Sequence, residues 1–152
     1  LNVTFFVSSS FVKLFVAEMG SSELIAFVTD SEDRTRFVSV LASLEVRSAI
    51  RRRETMGDIQ PQDARQALLA LSDEARRVVE HSITEQVLAE AANLVDRHNL
   101  RALDAIQLAS ALRAKRTLTL QDSLMFVASD RRLLDAASKE GLATWDPSVV
   151  HP

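Results

Sequence analysis

The chain has 152 residues, of which 47% are hydrophobic and 26% charged, and its formal net charge is −3. These values suit a single globular domain spanning residues 1–152, and they exclude nucleic-acid binding that rests on overall positive charge. No apolar run reaches the roughly 18 residues of a membrane span, and no basic segment marks Leu1–Val7 as a signal peptide. Cysteine is absent, which excludes disulfides and thiolate metal ligands and agrees with a cytoplasmic location.

The first predicted elements are a buried strand and a helix. Val3–Val7 is a β-branched and aromatic run, apolar nearly throughout, as is typical of a strand buried on both faces. Ser8–Ser10 follow, and we expect their hydroxyls to satisfy the free N–H groups at the start of a helix over residues 11–18. Gly20 is predicted to end that helix.

Further along the chain, short strand patterns alternate with helical patterns. In order, the sequence predicts a helix over 23–29, a strand over 37–41, a helix over 44–55 capped by Ser43, a helix over 61–77 with Pro61 in its first position, and a short strand at 78–79. Ser82–Glu85 matches a capping box and predicts a helix up to residue 95, broken at His98–Asn99. The last elements are a helix over 100–112, a strand over 124–128, a helix over 131–139 stopped by Gly141, and an edge strand at 144–146.

This alternation predicts an α/β domain with parallel strands and helices on both faces of the sheet. Ligands of such sheets bind at the carboxyl ends of the strands, near a switch in strand order. Glu45 follows the second strand, Asp130 follows the third good strand, and Ser8–Ser10 follow the first. We therefore expect these residues to meet at one edge, with Asp104 brought there by a helix.

Asp104 lies among apolar residues in the helix over 100–112. A carboxylate in such surroundings is costly to desolvate unless donors or a positive charge meet it. Asp104 therefore either caps or pairs locally, or it faces a cation. Glu45 and Asp130 have a similar alternative, because acids in the first turn of a helix are favoured by the helix dipole alone.

Four segments together resemble the PIN-domain ribonucleases, specifically the VapC-type toxins of type II toxin–antitoxin pairs. They are residues 11–18 (FVKLFVAE), 43–50 (SLEVRSAI), 100–109 (LRALDAIQLA) and 126–134 (FVASDRRLL), which span nearly the whole chain in the family's order. The resemblance implies a PIN-like α/β/α sandwich with about four or five parallel strands. It also implies RNA cleavage with Mg²⁺ or Mn²⁺, a cognate VapB-type antitoxin as partner, and a homodimer.

Carried over by residue, Glu45, Asp104 and Asp130 fall on three of the family's catalytic and metal-binding acids. Ser9, with Ser8 beside it, falls on the small hydroxyl position of the first motif. The family's aspartate at the end of strand one, six residues before the motif's lysine, corresponds here to Val7, or to Ser8 if the turn is one residue shorter, and neither is a carboxylate. Because valine offers no ligand to Mg²⁺, the resemblance implies weakened metal binding and turnover.

Arg47 and Arg51 are candidate RNA contacts. They share a face of the predicted helix, one turn beyond Glu45, within the densest basic run of the chain. The alternative is that they are a solvated helix flank. For the whole chain, the competing functions are a metal-dependent endoribonuclease toxin, a PIN-fold module that has lost catalysis and binds antitoxin or RNA, and a phosphoryl-transfer enzyme, which the lack of an aspartate after strand one disfavours.

Overall fold

The computed structural model describes residues 1–31 and 33–149, and strands and helices alternate along them. The strands are β1 (Asn2–Phe6), β2 (Thr35–Ser39), β3 (Val79–His81), β4 (Ser123–Val127) and β5 (Ala143–Trp145). The helices are α1 (Ser8–Phe11), α2 (Ser21–Asp30), α3 (Ala42–Met56), α4 (Pro61–Glu74), α5 (Glu85–His98), α6 (Ala102–Arg116) and α7 (Arg131–Lys139). The predicted single domain also includes residues 32 and 150–152, which lie outside the described residues.

The strands form one parallel sheet with the order β3-β2-β1-β4-β5. β1 lies in the centre, where Phe5 is in register with Phe37 of β2 and Phe126 of β4. The chain builds the sheet outward from β1 to one side and then, from β4, to the other side. The predicted α/β class and strand number are confirmed, and the switch in strand order lies at the carboxyl end of β1.

The sheet separates two hydrophobic cores. Val3 and Phe5 of β1 pack with α5, α6 and α7 on one side. Phe6 packs with α1, α2, α3 and α4 on the other. Side chains alternate between the faces of a strand, so a strand covered on both faces is apolar at successive positions. The prediction of a strand buried on both faces is confirmed, because the side chains from Val3 to Val7 are at most 3% exposed.

The predicted helix over 11–18 and its stop at Gly20 are wrong. Helix α1 ends at Phe11 and continues only as a 3₁₀ turn over Val12–Leu14. Gly20 instead precedes α2, with φ at 89°. A Cβ atom there would lie 2.6 Å from the carbonyl carbon of Pro147, so both the backbone angle and the close approach require glycine.

Two predicted caps are also wrong. Helix α3 begins at Ala42 with Leu41 as its N-cap residue, so Ser43 lies inside the first turn, where its Oγ is buried without a partner among the described residues. Helix α5 is capped by Thr84, which accepts the Val87 N–H, and not by the capping box that starts at Ser82. Pro61 does begin α4, as predicted. In the part of the chain that the structure describes, no helix combines the length and apolar character needed to cross a bilayer.

Candidate active site

A pocket of about 370 Å³ lies at the carboxyl end of β1, and all three candidate acids line it. Glu45 comes from the first turn of α3, and Asp104 comes from the first turn of α6. Asp130 is the residue that precedes α7. The fold therefore brings together carboxylates that are separated by up to 85 residues, the interval from Glu45 to Asp130.

Asp104 is partly buried and accepts no hydrogen bond from residues 1–31 or 33–149, so it does not cap its own helix there. Burial raises the pKa of the Asp104 carboxyl, and the nearby negative charge of Asp130 raises it further. The positive charges of Arg101 and Arg132 act in the opposite direction on the same pKa. Two carboxylates thus repel one another on one wall of the pocket, an arrangement that a bound cation would relieve.

Glu45 is held by neutral donors. Ser8 Oγ donates to Glu45 Oε2, and Gln107 Nε2 donates to the same oxygen over 2.7 Å. Gln107 Nε2 also lies 2.8 Å from Ser8 Oγ. The three side chains come from α1, α3 and α6, so hydrogen bonds close this wall of the pocket.

The serines after β1 do not cap their own helix, which corrects the sequence prediction. The N-cap residue of α1 is Val7, and no side chain caps that end. Ser8 binds Glu45, Ser9 Oγ accepts the Ser129 N–H over 3.1 Å, and buried Ser10 Oγ lies 2.8 Å from the Val7 carbonyl oxygen. Ser10 Oγ is also 2.7 Å from the carbonyl oxygen of Val127, the last residue of β4. Each serine therefore joins the end of β1 to a different part of the site.

Val7 lines the pocket beside the three acids and is 3% exposed. It occupies the position at which the first-motif aspartate was expected. Its side chain has only methyl groups, so this corner of the pocket has no oxygen to offer a cation or a water molecule.

The arginines of the pocket are not those that the sequence analysis selected. Arg47 is exposed on α3 outside the pocket, and Arg51 forms an ion pair of 2.6 Å with Glu54. The pocket is lined instead by Arg52 and Arg101. Arg52 follows Glu45 by two helical turns, and Arg101 precedes Asp104 by three residues, so helical spacing from the acids is the signal that would have found them.

Helical spacing also identifies Gln107, which the sequence analysis missed. It follows Asp104 by three residues, lines the same pocket and is 2% exposed. In the sequence it is one polar residue in an apolar helix, and nothing there connects it with Glu45.

The oxygen donors of the pocket suit a hard divalent cation, but they do not form a finished cage. Among the described residues, no group of three or more His, Asp or Glu side chains is placed to hold a metal ion. Hydrogen bonds already engage some of these oxygens: Glu45 Oε2 is bound by Ser8 and Gln107, and Asp130 Oδ1 accepts the Leu133 N–H over 2.9 Å. Mg²⁺ commonly takes only one or two carboxylates and keeps several waters, so the set fits one ion bound chiefly by the Asp104 and Asp130 wall.

Solved structures with a similar fold include toxin–antitoxin proteins. VapBC-1 from nontypeable Haemophilus influenzae is similar at a TM-score of 0.62 and 13% identity, covering 98% of this chain and 100% of that one. VapBC2 from Rickettsia felis, bound to a DNA fragment from the promoter, gives 0.61 and 9%, covering 95% and 98%. VapBC-5 from Mycobacterium tuberculosis gives 0.53 and 18%, covering 95% and 96%. At these identities the likeness shows the fold.

Sequence comparison places the chain more firmly. No curated protein matches it in sequence. The PIN domain family does match, over residues 5–139, from β1 to the last residue of α7. This interval contains Val7, the three acids and Gln107. The chain therefore belongs to the PIN domain family.

Proposed function

We propose that the chain is a metal-dependent endoribonuclease toxin of a VapBC-type pair, attenuated by Val7. PIN domains are generally nucleases, and members of this family generally use divalent metals. The observation that carries the proposal is the single pocket at the end of β1 lined by Glu45, Asp104 and Asp130. Chains with a similar fold are toxins of VapBC complexes, which supports the assignment to a toxin.

The residues of the pocket have separate roles in this proposal. Asp104 and Asp130 would hold Mg²⁺ or Mn²⁺, and Glu45 would add its free oxygen. The ion, when bound, supplies an activated water and neutralises charge on the scissile phosphate. Arg52 and Arg101 would bind RNA phosphates at the rim, because guanidinium groups pair well with phosphate oxygens. Arg47 and Arg51 stay candidate RNA contacts outside the pocket.

Partners are also part of the proposal. A VapB-type antitoxin is supported by the VapBC structures of similar fold. A groove of about 310 Å³ offers a mixed surface for a partner segment, with apolar Leu14, Phe15, Ile25 and Val28 beside charged Arg36, Asp73, Glu74 and Arg77. The homodimer is also part of the proposal, because the resemblance to VapC-type toxins implies it.

The second candidate function is a PIN-fold module without catalysis that binds antitoxin or RNA. Two observations favour it: Val7 replaces a ligand with methyl groups, and no three acids are grouped for a metal among the described residues. On this alternative the pocket keeps its shape and its arginines, and RNA binding does not depend on a divalent ion.

Restoring the carboxylate at position 7 tests the first proposal. We expect Val7→Asp to raise Mn²⁺-dependent RNA cleavage by about 10-fold or more, because even groups that only support a metal ligand are worth about 10–100-fold in affinity or activity. Val7→Asn is the matched control, since it has the same shape without the charge. Cleavage of a labelled RNA is measured for the parent chain, both variants and Val7→Asp combined with Asp104→Asn.

The outcomes separate the two candidates. Cleavage that rises in Val7→Asp, stays at the parent level in Val7→Asn and is lost with Asp104→Asn supports the nuclease. Absence of cleavage in a folded Val7→Asp protein that still binds RNA contradicts it and favours the binding module. Circular dichroism melts of every variant confirm that the compared proteins are folded.

A further inference from the structure

The amide of Gln107 is the most enclosed polar group of the pocket. It lies on α6, one turn beyond Asp104, and is only 2% exposed. We propose that Gln107 is a positioning residue, which fixes the orientation of the Glu45 carboxylate without neutralising its charge. The inference rests on the proposed function, since it concerns what Glu45 presents to a divalent cation.

The geometry of the contacts determines how the amide is oriented. Gln107 Nε2 donates to Glu45 Oε2 over 2.7 Å and lies 2.8 Å from Ser8 Oγ, so its N–H side faces both oxygens. The Ser8 hydroxyl donates its one hydrogen to the same Glu45 oxygen. With the amide reversed, its carbonyl oxygen would face the carboxylate and repel it, so the network itself assigns nitrogen to this side.

Neutrality distinguishes this arrangement from an ordinary ion pair. Within residues 1–31 and 33–149, no Lys, Arg or His forms an ion pair with Glu45. A lysine or arginine in place of Gln107 would hold the carboxylate equally well but would cancel its charge. Amide and hydroxyl donors orient Glu45 and leave it a full negative charge with which to attract a cation.

The same contacts divide the two oxygens of Glu45. Oε2 receives both donors, whereas Oε1 accepts no hydrogen bond from the described residues. Gln107 Oε1 is itself buried without a partner in that part of the chain. An apolar side chain would fill the space without this unpaired carbonyl, so packing alone does not account for a glutamine here. The hydrogen-bond donors that Gln107 directs at Glu45 and Ser8 account for the glutamine.

The hydrogen bonds from Gln107 and Ser8 to Glu45 form a clamp, which also links the two sides of the sheet. Glu45 belongs to α3, which packs in the core with Phe6, and Gln107 belongs to α6, which packs in the core with Phe5. Because Asp104 and Gln107 share a face of α6, the bond from Gln107 to Glu45 sets the spacing between the Glu45 and Asp104 carboxylates. Loss of the clamp would leave Glu45 free to turn away from the cation.

The test compares Mn²⁺ affinity, measured by calorimetry, among variants of the full chain. We expect Gln107→Met, which keeps the volume and removes the donors, to weaken Mn²⁺ binding roughly 10-fold, as losses of supporting groups do. Gln107→Lys restores a donor but adds a positive charge, so it should weaken binding at least as much. Ser110→Ala is the control, because Ser110 is buried on the same helix with an Oγ that has no partner in the described residues. It should leave Mn²⁺ affinity unchanged.

Thermal melts without metal accompany each titration. Gln107→Met that lowers the melting temperature while leaving Mn²⁺ affinity unchanged shows a structural role and overturns the inference. If Gln107→Met fails to fold, Ser8→Ala removes one donor and should weaken Mn²⁺ binding by less than the roughly 10-fold expected for Gln107→Met; unchanged affinity there again overturns it. Loss of binding in Asp104→Asn with full binding in Gln107→Met refutes only the clamp. No saturable binding in the parent or in Val7→Asp refutes the proposed metal site as well.

Discussion

The two walls of the pocket present carboxylates in different physical states. On the α3 side, Glu45 is bound by Ser8 and Gln107, so one oxygen is satisfied without any cation. On the α6 side, Asp104 accepts no bond from the described residues, burial raises its pKa, and repulsion by Asp130 raises that pKa further. The comparison teaches that lining one cavity does not make three acids equivalent. In the proposed site, the repelled pair is expected to hold the cation, and Glu45 is expected only to assist.

The strongest test of the difference between the two walls is to remove one acid from each. We expect Asp104→Asn to weaken Mn²⁺ binding by about 100-fold or more, because both of its carboxylate oxygens are unengaged, and Glu45→Gln by only about 10-fold. Calorimetric titration of both isosteric variants measures the two effects. A Glu45→Gln loss that equals or exceeds that of Asp104→Asn would invert the assignment of the walls.

The salt dependence of RNA binding tests whether an arginine at the rim of the Glu45 wall contacts a phosphate. Arg52 lines the pocket, whereas Arg47 is exposed on the same helix outside it. For a single-stranded RNA, Arg52→Gln should reduce the slope of log K against log salt by roughly 0.7, the value of one lost phosphate contact. Arg65→Gln, at an exposed site on α4 outside the pocket, is the matched control and should leave the slope as it is, whereas Arg47→Gln tests the candidate contact outside the pocket. Fluorescence anisotropy in EDTA gives the slope for each variant and for the parent chain. Equal slopes for Arg52→Gln and the parent chain would exclude the phosphate contact of Arg52.

The smallest expected effect is a dependence of stability on pH that belongs to Asp104. Burial, and secondarily Asp130, raise the pKa of Asp104. The folded state therefore favours the protonated acid, and its stabilising contribution is lost as the pH rises through the folded-state pKa. Asp104→Asn stays neutral, so in the absence of metal it should melt a few degrees above the parent at about pH 7. Near pH 3, below the ordinary aspartate pKa of about 3.9, the variant and the parent should melt at the same temperature.

Melting curves across this pH range, with a chelator present, provide the measurement. Asp96→Asn, at an exposed site on α5, controls for the removal of one negative charge. A parent chain that matches Asp104→Asn at every pH would show that the repulsion on the α6 wall has no energetic consequence. A gain in stability at the expense of cation binding is typical of residues kept for function.

Elements with strong local signals were predictable from the sequence. Helix α7 runs from Arg131 to Lys139 as predicted, because Asp130 caps its start and Gly141 follows its end. The continuous apolar pattern of β1 predicted a strand covered on both faces, and the sheet has it in the centre. The alternation of the elements then placed the three acids at one edge, since parallel strands end on the same side.

Features that depend on distant partners were not predictable in the same way. Ser9 and Ser129 are 120 residues apart, and Ser8 reaches Glu45 across 37 residues, so local rules assigned these hydroxyls to a helix cap instead. Gly20 has the composition signal of a helix end, but its positive φ and its approach to Pro147 serve the entry into α2. Gln107 lies one turn beyond Asp104 in the sequence, but its bond to Glu45 forms only where α3 and α6 meet.

The three serines after β1 hold the elements of the site together whether or not position 7 carries a charge. Their hydroxyls tie the strand end to α3, to the segment before α7 and to β4, and none of these bonds uses the side chain at position 7. Under the proposed function, Val7→Asp would therefore change the charge of the pocket while the hydrogen bonds of the three serines stay in place.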